Sequence, residues 1–170
     1  MSLIPKKIVI LRHGEKPGAP DSDDAAGGNP NLSVRGYCRA GALAPSLPSI
    51  FGKPDFIFAS APSHSSNRPV ETVTPLSQAT GVSINDKHAD DDYAKVANDV
   101  QNAAYSGKTV VICWHHGKIP ELATALGVTP PITPWPGDVF DRYWVITADG
   151  SGEPQVVNLS QRLLYGDDAD

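Results

Sequence analysis

The residue types that could do chemistry cluster at the ends of apolar segments. In IVILRHGEKP, four apolar residues are followed by Arg12 and His13, and in VVICWHHGK the apolar segment ends in His115 and His116. A further arginine, Arg68, follows the segment PDFIFAS and its polar loop. Arginine presents a rigid fork of donors that matches phosphate oxygens, and a neutral imidazole is a competent nucleophile toward phosphorus. Together these residue types favour chemistry on a phosphate group.

The elements that must position these residues follow from the hydrophobic pattern. Apolar segments predict four buried strands and a C-terminal hairpin, over residues 7–11, 55–59, 82–85, 109–114 and 142–161. Helical patterns lie between them, over residues 34–47 with Ser33 as cap, 68–81, part of 86–107, and 120–127. This alternation predicts an α/β fold, a three-layer sandwich in which helices cover both faces of a mostly parallel central sheet. We expect residues 1–170 to form a single domain.

The predicted fold brings the polar residues together. In a parallel sheet, ligands bind beyond the carboxyl ends of the strands. Arg12, His13, His115 and His116 all follow such ends, and Arg68 opens the helix after another. A single arginine or histidine at a strand end is usually a solvated loop residue. The whole set at one edge of the sheet instead indicates an anion-binding site.

Composition and charge exclude several classes of protein. The formal net charge of -5 argues against a broad nucleic-acid or membrane-surface function, because both favour a basic balance. The two cysteines, Cys38 and Cys113, do not indicate a disulfide framework, and no signal peptide or membrane span is recognisable. We therefore expect a cytoplasmic protein with no nucleic-acid or membrane partner. The loop over 17–31 is long for a compact domain and predicts either local disorder or a flap over a site.

Four segments of the chain resemble one family. LRHGEKP resembles the RHG signature of the histidine phosphatase superfamily, also called phosphoglycerate mutase-like, and NLSVRGYCRAGAL resembles the start of its first helix. RPVETVTPLSQATGVSI and GKTVVICWHHGKIPELATALG resemble its later segments, in the family's order. The tripeptide alone is weak, but the four segments together are specific. The resemblance implies the phosphoglycerate mutase-like fold.

The resemblance also implies roles for individual residues. His13 would be the nucleophile that is transiently phosphorylated, and Arg12 and Arg68 would hold the phosphate oxygens. A second histidine would orient the phosphoryl group, and no metal or organic cofactor is expected. Spacing from the flanking residues selects His115 as this second histidine, whereas the family's histidine-glycine pair selects His116. We favour His115, because the register at a strand end is hard to shift by one residue.

The general acid is open from the sequence. It must be a carboxyl group beside the leaving oxygen. In relatives it often comes from the segment after the third strand, which here contains Asp86, Asp90, Asp91 and Asp92, although a charge run of this kind is more often a solvated face. Glu15 is nearer to the nucleophile in sequence, but the corresponding residue of relatives more often supports the pocket. Asp90 and Glu15 are the two candidates.

Two segments depart from the family pattern. The loop SAPSHSSNR is longer than usual, so His64, Ser65 or Ser66 could reach the substrate, although a solvated loop is the simpler interpretation. The segment PWPGDVFDRYW matches no motif, and its Trp135 either lines a pocket or only packs among the prolines.

The sequence thus predicts a phosphomonoester hydrolase that acts through a phosphohistidine intermediate on a small phosphorylated metabolite or a phosphoprotein. One alternative is a phosphoglycerate mutase-like phosphotransferase, which we rank lower because the chain is short for that activity. Another is a non-catalytic phosphate-binding module. A metal hydrolase that uses the histidines is not supported by any metal-binding spacing. The identity of the substrate and the oligomeric state stay open.

Overall fold

Strands and helices alternate along the chain as the hydrophobic pattern predicts. The computed structural model describes residues 5–18, 28–149 and 151–169. Within them the strands are β1 Lys7–Arg12, β2 Phe56–Ala59, β3 Ile84–Asn85, β4 Thr109–Trp114, β5 Arg142–Ala148 and β6 Pro154–Ser160. The α-helices are α1 Val34–Phe51, α2 Arg68–Thr80, α3 Tyr93–Val100 and α4 Ile119–Ala125, with short 3₁₀ helices over Asp90–Asp92 and Ala103–Tyr105.

The six strands form one sheet in the order β3-β2-β4-β1-β5-β6. The first four strands in this order pair in parallel, whereas β5 is antiparallel to β1 and pairs with β6 as a hairpin. The predicted mostly parallel sheet with a C-terminal hairpin is confirmed. In this register Arg12 lies opposite Trp114, and Ala59 lies opposite Cys113. The carboxyl ends of β1, β2 and β4 therefore meet at one edge.

Helices cover both faces of the sheet. Successive residues of β1 point to opposite faces, so Val9 and Leu11 enter one core and Ile8 and Ile10 enter the other. The first core packs against α1 and α2, and the second packs against α3 and α4. The predicted three-layer sandwich is confirmed. Cys113 belongs to the first core.

Helix α1 runs four residues beyond the predicted end. Pro45 and Pro48 lie inside it, although proline usually ends a helix because it lacks an N–H group. Leu43 and Leu47 are fully buried on the same face. Their burial stabilises the helix enough to offset the lost hydrogen bonds. The helix ends at Gly52, whose positive φ of 89° suits glycine.

The loop after β1 packs tightly against the start of α1. Ser33 caps the helix through its Oγ, which accepts from the N–H of Gly36 at 3.1 Å, and the N–H of Ser33 donates to the carbonyl of Glu15 at 2.9 Å. A Cβ at Gly36 would collide with the backbone carbonyl of Glu15, and a Cβ at Gly14 would lie 2.9 Å from the carbonyl of Gly36. Two glycines are therefore required for this close approach.

The long loop after β1 lies partly outside the described residues. The loop predicted over 17–31 to be disordered or to form a flap has its central residues, 19–27, outside the described residues. Among the helices that are described, none combines the length and the apolar character needed to cross a membrane.

Candidate active site

Two histidines leave adjacent parallel strands side by side. Because Arg12 pairs with Trp114, the residues that follow them, His13 and His115, emerge at the same edge of the sheet. The N–H of His13 donates to the carbonyl of Trp114 at 3.1 Å, which continues the strand pairing by one residue. The two imidazole rings meet edge to face, with centroids 5.1 Å apart. The register thus places His115, and not His116, against the ring of His13.

The environment of His13 keeps one ring nitrogen ready for nucleophilic attack. Its Nδ1 lies 2.7 Å from the carbonyl oxygen of Gly14, and because a carbonyl can only accept, Nδ1 carries the proton. The neutral ring then has its lone pair on Nε2. Burial holds the pKa of His13 well below its ordinary value, and the charges of His115, Arg12 and Arg68 lower it further. His13 is therefore a neutral imidazole near pH 7.

Arg12 is fully buried and oriented by the segment before β5. Its Nη1 donates to the carbonyls of Gly137 at 2.7 Å and Val139 at 2.9 Å. The guanidinium lies 3.7 Å from the centroid of the Phe140 ring, a cation–π contact. The segment without a family motif thus orients a predicted phosphate ligand, a role that the sequence did not indicate.

Arg68 is tied to the loop of His13 through a threonine. Arg68 is the first residue of α2, and its Nη1 donates to the carbonyl of Asn29 at 3.1 Å. The hydroxyl of Thr72 donates to the carbonyl of Arg68 at 2.7 Å and accepts from the N–H of Gly14 at 2.8 Å. Thr72 therefore sets the distance between the two segments. Sequence reasoning missed it, although it lies one helical turn after Arg68 within a family-like segment.

These residues line one cavity at the carboxyl edge of the sheet. We call it the phosphate cavity, after the group that the sequence predicts it to bind. Its volume is about 370 Å³, and its lining comprises Arg12, His13, Lys16, Ser63, Ser65, Ser66, Arg68, Asp90, His115, His116 and Gly117. It brings together the three predicted histidines, both predicted arginines and one of the two candidate acids. Lys16 and Ser63 were not predicted. Exposed His64 is not part of the lining.

Cationic side chains predominate in the lining of the cavity, where Arg12, Arg68 and Lys16 accompany the single carboxyl group of Asp90. Burial lowers the pKa of His115 to about 4, and the charges of Arg68, His116 and Arg12 contribute to the shift. Two imidazoles that burial and, to a smaller extent, neighbouring cations make hard to protonate suit a place where an anion is stabilised. A dianionic phosphate group meets this requirement.

Asp90 supplies a carboxyl group that favours its protonated form. Burial raises its pKa to about 6, and the negative charge of Asp91 adds to the shift. The Oδ1 atom is buried and has no hydrogen-bond partner among the described residues. The backbone carbonyl of Asp90 accepts from Trp114 Nε1 at 3.0 Å, which fixes the residue against the end of β4. A carboxyl group of this kind suits a general acid.

Glu15, the other candidate acid, lies elsewhere. Its carboxylate accepts from Arg39 Nη2 at 2.7 Å and from Arg35 Nε at 3.0 Å, and it lines a different cavity. Burial would raise the pKa of Glu15, but the hydrogen bonds and charge of Arg39 outweigh it and hold the pKa below its ordinary value. The structure does not bring the Glu15 carboxylate together with the histidines. It is an ion-pair partner of Arg39 and Arg35 in the loop that follows His13.

His116 lies between the phosphate cavity and a larger neighbouring cavity, and it lines both. In the part of the chain that is described, no group of three or more histidine, cysteine, aspartate or glutamate side chains could hold a metal ion.

Comparisons with known proteins bear on the fold. No protein-family model matches the sequence, and no curated protein matches it. Among solved structures, the protein histidine phosphatase SixA in complex with tungstate is similar, with a TM-score of 0.62, 17% identity, and coverage of 91% of this chain and 97% of that one. A mycobacterial glucosyl-3-phosphoglycerate phosphatase gives a TM-score of 0.55 at 17% identity, with coverage of 89% and 96%. A phosphoglycerate mutase from Plasmodium falciparum gives 0.57 at 14% identity, with coverage of 94% and 92%.

Proposed function

Because the chain has the phosphoglycerate mutase-like fold of the histidine phosphatase superfamily, we propose that it is a phosphomonoester hydrolase that forms a phosphohistidine at His13. One observation carries the proposal. His13 is neutral, its Nδ1 is engaged by the carbonyl of Gly14, and it shares a cavity with Arg12 and Arg68. This arrangement supports the proposal that His13 is the nucleophile and that Arg12 and Arg68 bind the phosphate oxygens.

In the first step, Nε2 of His13 attacks phosphorus and the bond from phosphorus to the ester oxygen breaks. Arg12, Arg68 and His115 bind the phosphate oxygens, and their positions are set by Val139, Thr72 and the register of β4. Protonated Asp90 gives its proton to the leaving oxygen, so the alcohol departs neutral. Positioning and charge stabilisation supply most of the catalysis in phosphoryl transfer.

In the second step, water attacks the phosphohistidine. Asp90 is now a carboxylate and accepts a proton from the water, while the bond between phosphorus and Nε2 breaks. Inorganic phosphate leaves, and both His13 and Asp90 return to their initial protonation states. A pKa of about 6 allows Asp90 to serve as acid and then as base near neutral pH.

Trapping the intermediate tests the proposal. The protein is incubated with a ³²P-labelled aryl phosphate, quenched in alkali, and analysed for protein-bound label. We expect a phosphoenzyme that survives alkali and is lost in acid, as a phosphoramidate is, and that is missing in His13→Ala. His64→Ala is the matched control, because His64 is exposed and does not line the cavity. Vanadate binding without any labelled protein or turnover would indicate a phosphate-binding module instead.

A phosphotransferase needs a separate assay. The similar phosphoglycerate mutase is covered over 92% of its length, so the length of this chain does not separate the two activities. We expect release of inorganic phosphate from an aryl phosphate and no isomerisation of a phosphoglycerate. Isomerisation without hydrolysis would favour the transferase.

A further inference from the structure

A second cavity opens beside the phosphate cavity. Its volume is about 660 Å³, within the range of small-molecule sites. His116 and Gly117, at the turn between β4 and α4, line both cavities and so form their shared wall. A molecule whose phosphate lies against His13 therefore has space to continue past His116.

The walls of this larger cavity are mainly apolar and aromatic. Tyr93 at the start of α3, Pro120 on α4, and Pro130, Pro134 and Trp135 after α4 contribute to it. Its lining also includes the polar residues His116, Glu121, Thr124 and Thr133. Glu121 is exposed, and the Thr124 hydroxyl already donates to the carbonyl of Pro120 at 2.9 Å. Sugars need several convergent hydrogen-bonding groups, whereas flat apolar groups need the ring and proline surfaces found here.

The aromatic wall is rigid and is connected to the phosphate ligand Arg12. Trp135 is 4% exposed, and its ring lies 4.9 Å from that of Trp144. Its Nε1 donates at 2.9 Å to the carbonyl of Val139, which also accepts from Arg12 at 2.9 Å. One carbonyl thus positions both the wall of the larger cavity and a guanidinium of the phosphate cavity.

The candidate acid indicates the direction in which a leaving group extends. Asp90 lies in the phosphate cavity, and Tyr93, three residues later, lies in the larger one. Lys118 holds this segment against the start of α4, because its Nζ pairs with Asp91 at 2.9 Å and lies 5.9 Å from the Tyr93 ring. The chain from Asp90 to Tyr93 thus passes from one cavity to the other, so a substituent on an ester oxygen beside Asp90 has the larger cavity next to it.

From this geometry we propose that the larger cavity binds the leaving group of the substrate, and that this group is aromatic or otherwise flat and apolar. The preferred substrates are then small phosphomonoesters of such alcohols, rather than phosphates of polyhydroxylated sugars. The inference rests on the proposed function, because it places the reacting phosphate against His13. Burial of a two-ring group, after the cost of immobilising it, favours binding by about tenfold or more.

Turnover of a matched substrate pair tests the inference. We measure kcat/KM for 1-naphthylmethyl phosphate and glycerol 3-phosphate, which are both esters of primary alcohols, and expect wild type to favour the naphthyl ester by about tenfold or more. Ala125→Trp places an indole in the larger cavity from its exposed position on α4, and the preference is expected to fall to near unity. Ala94→Trp is the control, since Ala94 is exposed on α3 and lines neither cavity. Circular dichroism establishes that both variants are folded.

Binding of unreactive analogues separates this inference from the proposed function. Calorimetry compares 1-naphthylmethylphosphonate with methylphosphonate on the wild-type protein, and we expect a Kd at least about tenfold lower for the naphthyl compound. That result supports the cavity assignment even if no phosphate ester is turned over. Equal Kd values together with equal kcat/KM values, in a protein that hydrolyses both esters, would overturn the inference and leave the hydrolase proposal intact.

Discussion

The short loop that follows β1 connects two clusters that contain buried arginines, one through His13 and the other through Glu15. The two clusters differ in whether each charged group has an oppositely charged partner. The first is the Arg39 cluster, formed by Arg39, Glu15 and Asp167. Arg39 is 1% exposed, and its Nη2 lies 2.7 Å from a carboxylate oxygen of each partner. Burial would lower the pKa of Arg39, but the hydrogen bonds that Arg39 donates to Asp167 and Glu15, and the charges of these carboxylates, outweigh it and raise the pKa. Every charge in this cluster has an opposite charge beside it.

The second cluster is the phosphate cavity, where cations raise the cost of further positive charge. Both His13 and His115 have lowered pKa values, because burial and the neighbouring cations disfavour their charged forms. Asp90 has a buried oxygen that lacks a hydrogen-bond partner among the described residues. Buried polar groups without a hydrogen-bond partner reduce the stability of the fold unless a ligand supplies that partner.

The charges of the Arg39 cluster are paired within the protein, whereas the phosphate cavity could accept an anion. Glu15 comes two residues after His13, so its ion pair with Arg39 anchors the loop that carries the proposed nucleophile. Asp167 extends the anchor to the C-terminal segment, where it accepts from the N–H groups of Leu163 and Leu164 at 2.9 and 3.1 Å. The Arg39 cluster thus keeps rigid the loop that carries His13 into the phosphate cavity.

The largest expected effect is on catalysis. His13→Ala should lower kcat by at least about 10³-fold, since removal of a nucleophile leaves only the contribution of binding. Because His13 lies at a strand end, the melting temperature should change by only a few degrees. Steady-state kinetics on an aryl phosphate and thermal melting measure the two effects. A rate within tenfold of wild type would refute the assignment of His13.

Loss of Arg39 should lower the free energy of unfolding. Arg39→Leu removes the buried cation of two carboxylates and leaves them only the half-exposed Arg35, whose Nε lies 3.0 Å from Glu15 and whose Nη2 lies 3.5 Å from Asp167. Breaking a buried pair costs about 3–5 kcal/mol. Urea unfolding measures the change in the free energy of unfolding. Arg35→Leu is the control, because the side chain of Arg35 is 47% exposed and its ion pair should contribute less than about 1 kcal/mol. Equal losses for the two variants would contradict the distinction.

Loss of an arginine from the phosphate cavity should lower activity more than stability. Arg68→Ala is expected to lower kcat/KM by about 100-fold, by analogy with single donors of oxyanion holes. Stability should fall by less than in Arg39→Leu, because the removed charge is part of a cluster of cations. The test compares the loss of kcat/KM with the loss of unfolding free energy. Kinetics and urea unfolding measure the two on the same preparations. A variant that is unstable but retains its activity would place Arg68 among the structural arginines.

The smallest effects are expected at Asp90. Its pKa of about 6 lies above the ordinary value of 3.8, so its protonated form stabilises the fold at low pH and this contribution is lost as pH rises through about 6. Asp90→Asn removes the cost of the buried charge and should raise stability at pH 8 by about 1 kcal/mol, after allowance for partial exposure.

The same variant should be less active. With an aryl phosphate, whose leaving oxygen needs little protonation, kcat should fall by about tenfold. With an alkyl phosphate, whose leaving oxygen does need protonation, wild-type kcat/KM reports the first step and should decline as pH rises through about 6, and Asp90→Asn should lack this decline. Melting at pH 5 and pH 8 together with a pH–rate profile tests both parts. An unchanged profile in the variant would exclude Asp90 as the general acid.

The sequence predicted those features that depend on the local hydrophobic pattern and on which residues follow a strand. The apolar segment before Arg12 and the one before His115 are read directly as strands, and their carboxyl ends share an edge in any parallel pairing. The fold could therefore be predicted, as could the meeting of the histidines and arginines. The extent of α1 could not, because the stabilisation that carries it past Pro45 and Pro48 comes from burial against the sheet.

By itself, the sequence determined the α/β alternation and the residues placed at strand ends, because periodicity and residue type are local properties. Only the tertiary structure decided that the ring of His115 faces His13, that Asp90 enters the phosphate cavity, and that Glu15 turns away to Arg39. These outcomes depend on strand register, on burial and on partners distant in the chain. Such long-range contacts set the pKa and orientation of each group, and no short stretch of sequence contains them.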